Sequence, residues 1–164
     1  MSLLFSENEI ALRVAAVAKA IAARKPDIGV AILSGAFVFA ADLMRALARE
    51  GLDIPIEFLA LRSYGAGRVS GEISVRLGAS ENISGKNVLL IDGVLDHGRT
   101  LVKARELLHD ARSIIAAVVV DKRREGALVK SDFACFTNVE GFIAGYGMDD
   151  AGGGRGLPHI IRVD

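Results

Sequence analysis

The chain has 164 residues and no net formal charge, because 20 Lys and Arg balance 20 Asp and Glu, and 51% of its residues are hydrophobic. This length suits a single domain, expected over residues 1–164, and the zero net charge argues against a nucleic-acid binder, which normally carries a basic excess. The single cysteine, Cys135, excludes an internal disulfide and favours a cytoplasmic setting, and the sequence contains neither a secretory leader pattern nor a membrane-length apolar run.

The chain begins with a predicted helix. Ser6 and Glu9 form a capping box, in which a serine at the N-cap is followed three residues later by glutamate. Apolar residues then recur at helical spacing, at Ile10, Val14, Val17 and Ile21. This pattern predicts an amphipathic helix that buries one face.

Short apolar runs alternate with further helices along the rest of the chain. Strands are predicted over 28–33, 54–61, 72–77, 87–91 and 113–120, and helices over about 36–50 and 99–110. This alternation predicts an α/β fold with a mainly parallel central sheet flanked by helices. Because ligands bind beyond the carboxyl ends of parallel strands, the loops that begin at Ser34, Arg62, Asp92 and Asp121 are expected to line one site.

The segment over residues 88–101 carries the clearest chemistry. A buried strand leads to Asp92 and Asp96, then to Gly98, and then to a helix whose first residues include Thr100. The unpaired N–H groups and the dipole of a helix N-terminus bind phosphate, and a glycine lets the backbone approach it. An ordinary strand-to-helix turn with an acidic loop has the same pattern, so spacing alone leaves both interpretations open.

Residues 88–101 also resemble the phosphoribosyl-diphosphate (PRPP) signature of type I phosphoribosyltransferases. Five further segments resemble the hypoxanthine/guanine members of that family, in the family's order. They are the pyrophosphate loop and helix at 33–43, the flexible loop at 63–65, an Asp-Lys pair at 121–122, the purine-clamping segment at 141–149 and its tail at 155–158.

The resemblance implies the type I phosphoribosyltransferase fold with a small hood segment. It also implies a purine salvage enzyme that transfers phosphoribose from PRPP to a 6-oxopurine, giving a nucleoside 5′-monophosphate and pyrophosphate. Hypoxanthine, guanine and xanthine are the candidate bases. Members of the family assemble as homodimers or homotetramers, and the same is expected here.

The family resemblance assigns the 5′-phosphate to five consecutive residues: Asp96, His97, Gly98, Arg99 and Thr100. Asp96 also matches the general acid/base that handles the proton at purine N7. A carboxylate there fits the chemistry, because the N7 proton must be transferred as the base reacts.

Three residues match the family's purine-binding positions. Lys122 matches the lysine that reaches the exocyclic O6, and an ammonium donates to a carbonyl oxygen but not to a 6-amino group. Phe142 would stack on the purine, and the backbone carbonyl of Ile143 would accept from a 2-amino group. Considered alone, Phe142 is more often a core residue, and Lys122, followed by two arginines, is more often part of a solvated basic turn.

The remaining matches concern pyrophosphate and the closure of the site. Ser34, Gly35 and Arg155 match pyrophosphate-binding positions, although Arg155 also fits a tail charge. Ser63 and Tyr64 match a lid loop that excludes water from the reacting centre.

Magnesium is the cofactor that the resemblance implies. Asp92 matches the acid that holds the ribose hydroxyls directly or through metal, and Asp149 matches the carboxylate at a second magnesium ion. The three histidines of the chain, His97, His109 and His159, lack metal-ligand spacing.

Several positions depart from the family pattern, including Asp150 and the stretch 151–154 before Arg155. Gly93 stands where the second of two adjacent acids is expected, His97 replaces a small residue of the phosphate loop, and Ser34 occupies a position often held by lysine. Restoring the acid with Gly93→Asp is therefore expected to raise turnover. Gly93 and His97 also favour an alternative, a catalytically weakened sensor of nucleotide or PRPP, and an RNA-binding regulator is a third, less favoured reading.

Overall fold

The computed structural model describes residues 1–63, 73–77 and 81–163. In chain order its elements are β1 (Ser2–Phe5), α1 (Glu7–Ala22), β2 (Ile28–Leu33), α2 (Phe37–Arg49), β3 (Ile56–Ser63), β4 (Ile73–Leu77), a 3₁₀ turn (Glu81–Ile83), β5 (Asn87–Leu95), α3 (Arg99–Leu107), β6 (Ser113–Asp121), β7 (Phe133–Thr137), β8 (Phe142–Ala144) and β9 (Ile160–Val163).

Within those residues, six strands form a central sheet in the order β4-β3-β2-β5-β6-β7. All neighbouring pairs are parallel except β3 and β4, which are antiparallel. The prediction of a mainly parallel sheet flanked by helices is confirmed. The parallel strands end at one edge of the sheet, which is where the loops of the candidate site lie.

Strand β5 shows why the central strands are continuously apolar. Leu89 and Ile91 belong to the core beneath α1 and α2, whereas Val88 and Leu90 belong to the core beneath α3. Both faces of the strand are therefore buried, so apolar residues are required at every position.

Helix α1 begins at the predicted capping box. The Ser6 hydroxyl accepts from the Glu9 N–H, and the Ser6 N–H donates to the Glu9 carboxylate at 2.8 Å. All four residues of the predicted apolar stripe are buried.

A second sheet, among the described strands, has the order β1-β9-β8 and is antiparallel throughout. We call this sheet the hood. Its strand β8 places Phe142 and Ile143 beside the edge of the central sheet where the candidate site lies.

Three predicted boundaries were wrong by two residues or more. Strand β3 spans Ile56–Ser63 instead of 54–61, so Arg62 lies in the strand rather than at the start of a loop. Strand β5 continues to Leu95, because Asp92 and Val94 still pair with β6, so Asp92 and Gly93 lie in the strand rather than in a loop. Helix α3 ends at Leu107 instead of 110. In the described part of the chain, none of the helices is both long and apolar enough to span a membrane.

Candidate active site

A cavity of about 720 Å³ opens at the carboxyl ends of the parallel strands. It brings together residues from loops that are far apart in sequence, as the topology requires. Ten of the predicted site residues line it: Ser34, Gly35, Asp92, Asp96, Thr100, Lys122, Phe142, Ile143, Asp149 and Arg155.

A smaller cavity of about 160 Å³ adjoins it at the start of α3, and we call this the phosphate cup. His97, Gly98 and Arg99 line it, and Asp92, Asp96 and Thr100 are shared with the larger cavity. The first N–H groups of an α-helix have no partner within the helix and lie at the positive end of its dipole. The cup therefore suits an anion such as a phosphate ester.

Gly98 is the N-cap of α3 and has a left-handed backbone with φ of +87°. A Cβ atom there would lie 2.7 Å from Cγ2 of Val129 and 3.2 Å from the Val129 nitrogen. Glycine is thus required both for the backbone conformation and for the close approach of the 129 segment.

Asp96 stands between the phosphate cup and the purine-binding positions, and three basic side chains contact it. The Lys122 Nζ lies 3.0 Å from Oδ2, the His97 Nδ1 lies 3.0 Å from Oδ1, and the Arg124 Nε also contacts Oδ1. Partial burial alone would raise the pKa of Asp96, but hydrogen bonds from Lys122 and Arg124 and their charges lower it below its usual value. The carboxylate is therefore held ionised and ready to accept a proton.

Lys122 is a buried cation, so the interpretation as a solvated basic turn was wrong. Its side chain is only 6% exposed, and Nζ donates to Asp96 and, at 2.8 Å, to the carbonyl of Gly141. An ammonium has three N–H donors, so one donor beyond these two bonds is available to a ligand in the cavity.

The apolar wall of the cavity comes from β8 and the turn that follows it. Ile143 and Met148 are buried, and Phe142 is half-buried and lines the cavity. Phe142 therefore serves the cavity surface rather than the interior of a core. A flat aromatic ligand could be bound against this wall.

Arg155, which also lines the cavity, is fixed by two contacts. Its Nη2 lies 2.7 Å from Oδ1 of Asp149, and its Nη1 donates to the Gly147 carbonyl at 2.7 Å. Arg155 is therefore part of the site and not a free tail charge. Asp149 also accepts from the Gly152 N–H at 3.1 Å.

Asp92 is the buried acid of the site. Its Oδ1 accepts from the Gly93 N–H at 2.7 Å. Burial raises the pKa of Asp92 to about 7, although the bond from Gly93 acts in the opposite direction. Partners that donate to this carboxylate, such as hydroxyl groups, would favour its ionised form.

The described residues contain no group of three or more His, Cys, Asp or Glu side chains that would hold a metal ion by themselves. Asp92 and Asp149 instead present single carboxylates to one cavity. Mg²⁺ is commonly bound by one or two carboxylates together with water and substrate phosphates. The donor set therefore fits a magnesium ion shared with a phosphorylated ligand.

Gly93 lies at a close backbone junction. A Cβ atom at Gly93 would stand 3.0 Å from the carbonyl oxygen of Gly35, and one at Gly147 would stand 2.7 Å from the same oxygen. The loop of Ser34 and Gly35, which follows a cis peptide bond between Leu33 and Ser34, thus packs directly on two glycines. The sequence showed that an acid is missing at position 93, but not that a Cβ atom there would press on the Gly35 carbonyl.

A hydrogen bond joins the segment predicted to bind the purine to helix α2. The Tyr146 hydroxyl donates to Oδ2 of Asp42 in α2 at 2.6 Å. Neither residue's part in this link was predicted, because the two are 104 positions apart. Of the predicted lid residues, Ser63 is the last residue of β3, and Tyr64 lies outside the described residues.

The chain is similar to known phosphoribosyltransferases over almost its whole length. The family model of the phosphoribosyl transferase domain matches residues 4–151. The hypoxanthine-guanine phosphoribosyltransferase of Aquifex aeolicus is 35% identical over 100% of this chain and 95% of its own length. The hypoxanthine phosphoribosyltransferase of Escherichia coli K12 is 33% identical over 99% of this chain and 95% of its own length.

Solved structures agree with these relatives. The structure of Trypanosoma cruzi hypoxanthine phosphoribosyltransferase in complex with the product IMP matches with a TM-score of 0.89 and 30% identity. The match covers 100% of this chain and 94% of the other. A K68R mutant of the same protein, also complexed with IMP, matches with a TM-score of 0.90.

Proposed function

Because this chain belongs to the phosphoribosyltransferase family, and within it to the hypoxanthine and hypoxanthine-guanine phosphoribosyltransferases, we propose that it transfers phosphoribose from PRPP to N9 of a 6-oxopurine. The products are the nucleoside 5′-monophosphate and pyrophosphate. The observation that carries this proposal is the pair formed by Asp96 and Lys122 between the phosphate cup and the Phe142 wall.

The proposed roles follow the order of groups along the cavity. The phosphate cup binds the 5′-phosphate, Phe142 stacks on the base, and Lys122 donates to O6. During transfer the bond from N9 to C1′ of the ribose forms while the bond from C1′ to the pyrophosphate oxygen breaks. Asp96, which its lowered pKa keeps ionised, accepts the proton that leaves N7.

At the other end of the cavity, Ser34, Gly35 and Arg155 bind the leaving pyrophosphate. Asp92 and Asp149 would hold Mg²⁺ with PRPP; bound there, the ion neutralises charge on the leaving group. Asp92 would also accept from the ribose hydroxyls. Arg155 must then exchange part of its contact with Asp149 for pyrophosphate, because the two now form an ion pair.

The direct test is to incubate the protein with PRPP, Mg²⁺ and one base at a time, and to separate the products by chromatography. Hypoxanthine is expected to give IMP and guanine GMP, with xanthine as a further candidate. Adenine is expected to give no product, because its 6-amino group meets the Lys122 ammonium. Absence of product from every 6-oxopurine at high enzyme concentration would refute the enzymatic function.

A second candidate function is a sensor that binds nucleotide or PRPP without turnover, and the absence of an acid at Gly93 favours it. A rise in melting temperature with PRPP or GMP, without product, would select this function.

We also propose that the protein is a cytoplasmic homodimer or homotetramer. Light scattering coupled to size-exclusion chromatography measures its mass.

The effect of the missing acid can be separated from that of the missing Cβ. Gly93→Ala is expected to lower kcat/KM for PRPP several-fold, because the added methyl group displaces the Gly35 carbonyl by a few tenths of an ångström. Gly93→Asp makes the same displacement but adds a carboxylate near the ribose. It is expected to exceed Gly93→Ala in kcat by roughly tenfold.

Gly29→Ala is the matched control, because its Cβ would make an ordinary contact of 3.5 Å with Sδ of Met44 at the far end of β2. It should retain the wild-type kcat/KM. A kcat for Gly93→Asp at or below that of Gly93→Ala would contradict the expected role of a carboxylate at this position.

A further inference from the structure

The loop after β6 presents its basic side chains alternately to two acids. Lys122 and Arg124 contact Asp96, whereas the intervening Arg123 turns away and its Nε lies 3.3 Å from Oδ2 of Asp121. A left-handed backbone at Arg123, with φ of +51°, separates the two directions. Two adjacent arginines thus have different electrostatic partners.

The buried carboxylate of Asp121 fixes this loop. Its Oδ1 accepts from the Arg123 N–H at 2.9 Å, and its Oδ2 accepts from the Ser131 hydroxyl at 2.7 Å. Asp121 is 3% exposed, so these bonds form away from solvent. The backbone that leads into Arg124 is therefore anchored, and the Arg124 side chain, which is 44% exposed, extends from it to Asp96.

We propose that Arg124 is a positioning residue for Asp96, and that with Lys122 it clamps the carboxylate at both of its oxygens. This inference rests on the proposed function. The Lys122 Nζ donates to Oδ2 at 3.0 Å, and the Arg124 Nε forms an ion pair with Oδ1, so a cation contacts each oxygen of the carboxylate.

The clamp leaves Asp96 able to react. Each carboxylate oxygen accepts at two lone-pair sites, so contacts with Lys122 and Arg124 leave capacity for a purine N–H. The His97 Nδ1 is the third basic group that faces Asp96, at 3.0 Å from Oδ1. The His97 side chain is 65% exposed, so water competes with that contact more than with the contact from Lys122.

The test compares Arg124→Gln with Arg123→Gln, which removes the neighbouring arginine but leaves the clamp intact. IMP formation is measured from pH 4 to 9, with kcat and KM resolved for hypoxanthine and PRPP. Arg124→Gln is expected to lower kcat on the order of tenfold, as a partial loss of acid–base catalysis, with KM for PRPP unchanged. Removal of the cation raises the pKa of Asp96, so the acidic limb of its profile moves to higher pH.

Two comparisons separate positioning from a structural effect. Arg124→Lys keeps the charge and is expected to return the acidic limb toward its wild-type position. Arg123→Gln is expected to keep kcat within about twofold and the acidic limb in place. The proposal would be overturned if Arg124→Gln kept the wild-type kcat and the acidic limb of its pH profile did not move. It would also be overturned if Arg124→Gln and Arg123→Gln lost kcat and melting temperature equally.

A measurement without turnover keeps this inference apart from the proposed function. Carboxyl carbon NMR of aspartate-labelled protein follows the titration of Asp96, whose signal is identified by its absence in Asp96→Asn. A higher titration midpoint in Arg124→Gln than in wild type supports the clamp even if the wild type forms no IMP, in which case only the enzymatic function fails. An unchanged midpoint overturns the clamp.

Discussion

Replacement of Asp96 by asparagine is expected to reduce kcat for IMP formation by about 10²- to 10⁴-fold, the range of general acid–base catalysis. Asparagine has nearly the same shape as aspartate, but its amide does not take up the proton that leaves N7. The phosphate cup is built from backbone and is retained. Affinity for IMP, measured by calorimetry, should therefore change much less than kcat.

Asp96→Asn also removes the negative charge that is paired with the buried ammonium of Lys122. Lys122 is 6% exposed and would keep only its bond to the Gly141 carbonyl. A lower melting temperature is therefore expected, and kcat should be compared well below it. The lowered pKa of Asp96 means that the wild-type ion pair contributes stability at neutral pH that is lost as the pH falls and the carboxylate is protonated.

Asp110→Asn is the matched control, because it makes the same chemical exchange at an exposed position next to His109, away from the cavity. It should retain the wild-type kcat and melting temperature. A kcat for Asp96→Asn within tenfold of wild type would exclude Asp96 as the essential proton acceptor.

Replacement of Gly145 by alanine is expected to lower stability by about 3 kcal/mol or more, through backbone strain and overpacking together. Gly145 has φ of +100°, and a Cβ atom there would lie 2.1 Å from the carbonyl oxygen of His159. That oxygen belongs to the backbone that enters β9, so relief of the contact requires β8 and β9 to separate. For a chain of this size the melting temperature should fall by about 10 °C.

Gly152→Ala provides a control at a second glycine with a left-handed backbone. Gly152 has φ of +87°, but nothing lies within 4 Å of a Cβ atom built there. It is expected to lose only about 1 kcal/mol, from the left-handed conformation alone. Equal melting temperatures for the two variants would show that the close contact at Gly145 is relieved without cost.

The elements that could be predicted from the sequence are those with local causes. The capping box at Ser6 and Glu9 satisfies helix N–H groups within four residues, and the apolar strands reflect burial on both faces. Strand β1 could not be predicted in this way. Its partner β9 is about 160 residues away, and four residues before a helix carry no pattern of their own.

The candidate site also has a part with local causes, which could be predicted, and a part that depends on distant residues. The phosphate cup follows from a local strand, glycine and helix, and was predicted. The contact of Arg124 with Asp96 depends on a left-handed turn at Arg123 and on the burial of Asp121, which composition does not encode. The run of one acid and three bases from Asp121 to Arg124 was the available signal, but a run of charges usually indicates a solvated surface.

The hood has a consequence for the order in which the protein folds. Its pairing of Ser2 with Arg162 closes a loop of almost the whole chain, and such contacts form late because their closure entropy is large. The central sheet and the phosphate cup depend on shorter connections. We expect an intermediate that already binds phosphate before β8 and β9 complete the apolar wall of the cavity.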